Sequence, residues 1–157
     1  MADTVSSKTR SSIMAAIRSS GNFSTEQKFI GLLKTVGARG WRRGYPLYGR
    51  PDFVFLGVRT AIFIDGCFWH GCKKHHRSPT SNREYWTQKI SLNRIRDRKT
   101  TKYLRAREWI VLRIWEHELR KEHQRVLVRR LSRYLHIADS SASFTRARKT
   151  ASKKAKN

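Results

Sequence analysis

Two apolar segments, Asp52-Phe53-Val54-Phe55-Leu56 and Thr60-Ala61-Ile62-Phe63-Ile64-Asp65, are separated by three residues beginning at Gly57. Parallel neighbouring strands need a crossover of a dozen residues or more, so a link this short favours an antiparallel hairpin. A register centred between Val58 and Arg59 sets Asp52 directly opposite Asp65, and opposed residues share one face of a sheet. Two carboxylates on one face repel unless something cationic lies between them. A hard divalent ion such as magnesium is one candidate. Pairing of both acids with surrounding arginines is the other, and a slipped register would break the convergence altogether.

The rest of the chain supplies helices for that hairpin. In Ser24–Gly37, Ser24 and Gln27 read as a capping box, Phe29, Ile30, Leu33 and Val36 as an apolar face, and Gly37 as a stop. The segment 38–51 reads as loop or irregular strand. Asn82 is expected to cap a long helix through about Arg107, with Trp86, Ile90, Ile95 and Leu104 among its inward residues. Trp109 to Trp115 follows as a strand, then a last helix carrying Leu119, Val126, Leu127, Leu131 and Leu135. The order describes an α/β fold, a small mixed sheet flanked by helices, in one domain over residues 23–137. Residues 1–22, with Ile13, Met14 and Ile17 at helical spacing, read as an amphipathic arm, and 138–157 as a disordered basic tail.

Charge narrows the partner. Lys and Arg number 35 against 11 Asp and Glu, a formal charge of +24, which calls for a polyanion. No apolar run approaches the roughly 18 to 20 residues of a spanning helix, and the first ten residues lack a signal core. The excess of Arg94, Arg96, Arg98, Lys99, Lys102, Arg105 and Arg107 on the long helix, and of Arg125, Arg129, Arg130 and Arg133 on the last, therefore reads as a phosphate-contacting surface for nucleic acid. The only cysteines, Cys67 and Cys72, stand beside several histidines, a pattern of metal binding in a reducing compartment, here the cytoplasm.

Cys67-x4-Cys72-x2-His75, joined by His117, offers two thiolates and two imidazoles, the donor set of a closed structural zinc site. His76 or His70 could replace His75, and two reduced thiols without metal are the alternative. His70, five residues past Asp65, is either a ligand, a general base facing the carboxylates, or a surface histidine. Glu26 either joins the acids or complements the dipole of the first helix. Phe68 and Trp69, with Trp86, are suited to wedge between base pairs, a step that costs less where the pair is mismatched. Core packing is the alternative for Trp86 and the expected role of Trp109 and Trp115. Met14 and Ile17 could form a smaller wedge or pack internally.

Several separated strings in this order resemble the very short patch repair (Vsr) endonucleases: Gly49-Arg50-Pro51-Asp52-Phe53, then Asp65-Gly66-Cys67-Phe68-Trp69-His70-Gly71-Cys72, then Trp115-Glu116-His117. Thr9-Arg10-Ser11 with Met14, Tyr85-Trp86 and Arg96-Asp97-Arg98 are similar too, so the likeness runs from about residue 8 to 135. The resemblance implies a restriction-endonuclease-like fold and magnesium-dependent nicking of the thymine strand at T:G mismatches left by deamination of 5-methylcytosine. Asp52 would be the principal magnesium ligand, assisted by the Ile64 carbonyl, with His70 as base and Asp65 and Glu26 in support. Cys67, Cys72, His75 and His117 match the zinc positions. Phe68, Trp69 and Trp86 match the intercalating aromatics, and Met14 an arm that enters from the minor groove. A monomer is expected, with a DNA cytosine methyltransferase and repair machinery as companions. In the wider nuclease superfamily a lysine follows two residues after the second acid. Here that residue is Cys67, and some relatives carry histidine in place of Asp65. A nuclease without mismatch selectivity and a non-catalytic zinc-stabilised DNA-binding module are the rival readings.

Overall fold

A computed structural model describes residues 23–77 and 82–135. The arm with Met14 and Ile17, and the basic tail, lie outside the described residues. Helix α1 spans Phe23–Thr35, followed by the short strand β1, Trp41–Arg42. Strands β2, Phe53–Phe55, and β3, Thr60–Asp65, form the expected hairpin, α2 spans Arg83–Arg105, and β4 is Ile110–Trp115. Helix α3, Gln124–Leu135, completes the element order after a 3-10 turn over Glu116–Leu119. The sheet order is β1-β2-β3-β4, antiparallel across the first three and parallel between β3 and β4, where α2 supplies the crossover that parallel pairing demands.

Alternation along the strands sorts the sheet into two faces. Phe53, Phe55, Ile62, Leu112 and Ile114 pack with Phe29, Leu33 and Ile30 of α1 and with Leu127, Val128 and Leu131 of α3. Ala61, Phe63 and Val111 turn to the other face and meet Leu104 of α2. The result is a helix–sheet–helix sandwich in which α2 covers the second face, with Leu47 and Trp109 packed beside it. This is the mixed α/β architecture read from the sequence.

Several local expectations need correction. The hairpin pairs Phe53 with Ile62 and Phe55 with Thr60, so it is centred between Gly57 and Val58, one residue earlier than expected. A 3-10 turn over Leu56–Val58, closed by Arg59 in a left-handed conformation, takes up the link. Extended by one residue, this register faces Asp52 toward Phe63 rather than Asp65. The slip is by two in the partner, so parity is kept and both acids remain on the α2 face. Helix α1 begins at Phe23, which puts Ser24 inside its first turn rather than ahead of it. Asn82 does occupy the N-cap of α2, but its left-handed backbone leaves its side chain making no capping hydrogen bond. Ile95 and Val126 are exposed, at 49% and 72%, because they stand off the stripes formed by Trp86, Ile90 and Leu104 and by Leu127, Leu131 and Leu135. Leu119 is buried but belongs to the 3-10 turn. The Gly37 stop holds: Ala38 N–H bonds to Leu33 O and Gly37 N–H to Lys34 O, the pattern of a Schellman cap.

Two glycines give opposite expectations. Gly31 lies mid-helix in α1, and a methyl group there meets nothing within 4 Å. Gly31→Ala should therefore raise stability by about 0.5–1 kcal/mol in urea unfolding. Gly49 has φ +80° and its added Cβ would collide with the Thr100 side chain. Gly49→Ala should cost about 1–3 kcal/mol in the same assay.

Candidate active site and metal centre

The α2 face of the sheet carries a cavity of roughly 440 Å³ whose lining includes Asp52, Asp65, His70, Asp97 and Arg113. Asp52 precedes β2, and its Oδ2 accepts a hydrogen bond from the Ile64 amide at 2.7 Å. The Ile64 backbone thus meets Asp52 through its amide, whereas the expected role was that of its carbonyl toward magnesium. Burial raises the Asp52 pKa from 3.8 to about 6; the Ile64 hydrogen bond works against that rise, and the charges of Glu26 and Asp65 add to it. Among the described residues Asp52 has no salt-bridge partner, and the charge of Arg113 offsets its rise only in part.

The other acids do have cations. Glu26, 5% exposed in the first turn of α1, pairs with Arg43. Asp65 is gripped by Arg113, with Nε donating to Oδ2 at 2.6 Å and Nη2 to Oδ1 at 2.5 Å. The arginine-pairing alternative therefore describes Asp65. Arg113 Nη2 also lies 2.8 Å from Asp97 Oδ1. His70 Nδ1 is 2.6 Å from Asp97 Oδ2 and 3.8 Å from Asp65 Oδ1. Burial opposes ionisation of Asp97, but its contacts with His70 and Arg113 prevail and hold its pKa below the usual carboxylate value. With Nδ1 bonded to a carboxylate, neutral His70 keeps its proton on Nδ1 and its lone pair on Nε2, the state a base requires.

Neither Arg113 nor the pairing of Asp97 with His70 follows from the sequence reading. Asp97 entered only within the Arg96-Asp97-Arg98 string, hidden among basic residues. The available signal for Arg113 was an arginine inside the apolar strand Ile110–Trp115, in phase with buried Val111.

The loop after β3 builds the second centre. One ligand atom from each of Cys67, Cys72, His75 and His117 falls in a set whose members all lie within 4.8 Å of one another. Cys67 Sγ is 3.2 Å from His117 Nδ1, and Cys72 Sγ is 3.7 Å from both His75 Nδ1 and His117 Nδ1. Neighbouring ligands on a tetrahedral zinc shell are separated by roughly 3.3–3.8 Å, so both donor chemistry and spacing fit. His75 rather than His76 joins this set; His76 lies against the Phe68 ring, with centroids 5.6 Å apart. The loop is tied down by Asn93 donating to Trp69 O at 2.9 Å and by Cys67 N–H donating to Glu116. Burial raises the Cys67 thiol pKa, while burial and the neighbouring His75 lower that of His117.

Phe68, Trp69 and Trp86 form one aromatic cluster, with ring centroids 5.2–5.9 Å apart. Phe68 and Trp69 are partly exposed, whereas Trp86 is 7% exposed and packs as core beneath them. Trp109 packs beside the Leu104 cluster, as expected.

A sequence model described as DNA mismatch endonuclease Vsr matches residues 2–76. The Type II nicking enzyme V.NaeI of Lentzea aerocolonigenes is 44% identical over 93 residues, 59% of this chain, which spans little more than half (56%) of that protein's length. The Type II nicking enzyme V.XorIIP of Xanthomonas oryzae pv. oryzae is 37% identical over 76% of this chain and 88% of its own. DNA mismatch endonuclease Vsr of Escherichia coli is 38% identical over 76% of this chain and 77% of its own.

Two solution tests follow. A carboxylate with a raised folded pKa stabilises the fold below its unfolded value, and that stability is lost as pH climbs from 3.8 to about 6. In metal-free protein, Asp52→Asn should therefore be more stable than wild type above pH 6 by roughly 3 kcal/mol, a gap that closes toward pH 4 in denaturant titrations. Zinc titration of the metal-free protein at pH 7 should release about two protons, one from each thiol, and Cys72→Ala should abolish that stoichiometry.

Proposed function

The chain belongs to the Vsr family of DNA mismatch endonucleases, and from that premise we propose that it nicks the thymine-bearing strand of duplex DNA at T:G mismatches arising from deaminated 5-methylcytosine. The observation that carries the catalytic part is the cavity shared by Asp52 and the His70–Asp97 pair, a carboxylate without a described salt-bridge partner beside an oriented base. Asp52 and the backbone carbonyl of Ile64 would hold magnesium, which would supply stabilisation of the charge that develops on the phosphodiester oxygens. His70 Nε2 takes the proton of the attacking water, and Asp97 holds the imidazole in the required tautomer. Glu26 and Asp65 add negative charge around Asp52, which favours a bound cation. Cys67, Cys72, His75 and His117 would hold zinc, which would fasten the loop that carries His70 between Cys67 and Cys72.

Selectivity is assigned to the aromatic cluster. Phe68 and Trp69 are the parts open to solvent and supply the wedge, with Trp86 as the supporting ring that completes the intercalating set. Met14 and Ile17 contribute from the N-terminal arm. The DNA backbone is carried by α2, where Arg98, Thr101, Lys102 and Arg105 line a groove that shares Asp97 and Arg113 with the catalytic cavity. The enzyme acts as a monomer in the cytoplasm, on the nucleoid, alongside a DNA cytosine methyltransferase and repair enzymes that fill the nick.

Strand-resolved cleavage with magnesium tests this reading. The thymine strand of a T:G duplex should be nicked while the other strand and a fully paired control stay intact, and Asp52→Ala should slow the reaction by at least about 100-fold. Equal nicking of paired duplex would favour an unselective nuclease. Binding without cutting in every sequence context would favour the DNA-binding module.

A further inference from the structure

Arg113 stands beside Phe63 in the parallel register of β3 and β4, with its guanidinium 5.0 Å from the Phe63 ring centroid. From that seat it reaches both Asp65 oxygens and one Asp97 oxygen, and the other Asp97 oxygen meets His70 Nδ1. Contacts thus run in series from Asp65 through Arg113 and Asp97 to His70. His70 Nδ1 has two carboxylates in reach, Asp97 at 2.6 Å and Asp65 at 3.8 Å. A single ring N–H cannot bond well to both, and the choice decides where the imidazole points.

We propose that Arg113 is a positioning residue for strand cleavage: by occupying both oxygens of Asp65 and bracing Asp97, it makes Asp97 the acceptor for His70. The proposal rests on the reading of His70 as the base. Only a planar fork of donors grips one carboxylate at two points while bonding a second, which a lysine ammonium does not reproduce. Arg113 is well placed for this, since its side chain is 23% exposed and the strand beneath it is fixed by six consecutive parallel pairings. It acts through Asp97 and not on the substrate, which separates this role from that of a phosphate clamp in the neighbouring basic groove.

The test compares wild type, Arg113→Gln, Arg113→Lys and the double variant Arg113→Gln/Asp65→Asn, on the full chain with zinc and magnesium present. Arg113→Gln should lower kcat by about 10- to 100-fold, as loss of an orienting partner does elsewhere, with KM for the T:G duplex within about threefold of wild type. Adding Asp65→Asn should return the His70 Nδ1–H proton resonance toward its wild-type position, because the rival carboxylate is gone; a merely structural arginine predicts no return. Independently of cleavage, proton NMR of wild type should show a downfield His70 Nδ1–H signal that moves or disappears in Arg113→Gln. If Arg113→Gln loses cooperative unfolding, Arg113→Lys carries the same readouts with smaller effects. An unchanged signal, an unchanged kcat, or a raised KM at constant kcat overturns the proposal, the last in favour of a phosphate clamp. Failure of wild type to cut any duplex refutes the nicking reading instead, and the NMR signal still decides whether Arg113 orients His70.

Discussion

A carboxylate taken out of water must be met by positive charge or by a proton, and the architecture of this site follows from how each acid meets that demand. Glu26 has Arg43, Asp65 has Arg113, and Asp97 has Arg113 and His70. Asp52 has an amide hydrogen bond and a raised pKa. In a chain with a formal charge of +24, acids gathered in one cavity are not there for solubility. Among the described residues the acids therefore divide, with Glu26, Asp65 and Asp97 paired to protein cations and Asp52 met by the Ile64 amide.

The fold makes that division possible by separating its two faces. One face is filled by apolar side chains from α1 and α3. The other has an apolar patch where Leu104 covers Ala61, Phe63 and Val111. Beyond that patch, the same face carries Asp65 and Arg113 at the ends of β3 and β4, and α2 brings Asp97 over them. The loop that follows β3 then runs directly into the Cys67–Cys72 segment, so the set that fits zinc and the residue read as the base are separated by only two or three positions. Such proximity couples the geometry of the Cys67–Cys72–His75–His117 cluster to that of the neighbouring cavity.

Much of this was legible in local sequence. The hairpin, three helices and the β4 strand are set by short-range periodicity, while spacing and residue chemistry pointed to Cys67, Cys72 and His117 but left His75, His76 and His70 as alternatives for the fourth member of the cluster. The hairpin register was misjudged because residues 56–59 form a 3-10 turn with Arg59 left-handed, which apolar alternation does not encode. Ile95 and Val126 were assigned inward on hydrophobicity, although exposure depends on which side of each helix the sheet meets. Arg113 was overlooked for a different reason: its partner Asp65 is 48 positions away and comes alongside only through the α2 crossover. The Asp97–His70 contact likewise spans 27 positions. The short-range pattern announced the acids but not the long-range cations that answer them.

If Asp52 is the ligand proposed for a divalent cation, a fold that raises its pKa to about 6 makes cation binding expel a proton. Calorimetric titration of magnesium into the zinc-loaded protein at pH 6, repeated in buffers of different ionisation enthalpy, measures the protons exchanged on binding. Binding accompanied by release of about half a proton, and absent in Asp52→Asn, is the predicted result. Binding of equal strength to Asp52→Asn, or binding without proton release, would contradict it.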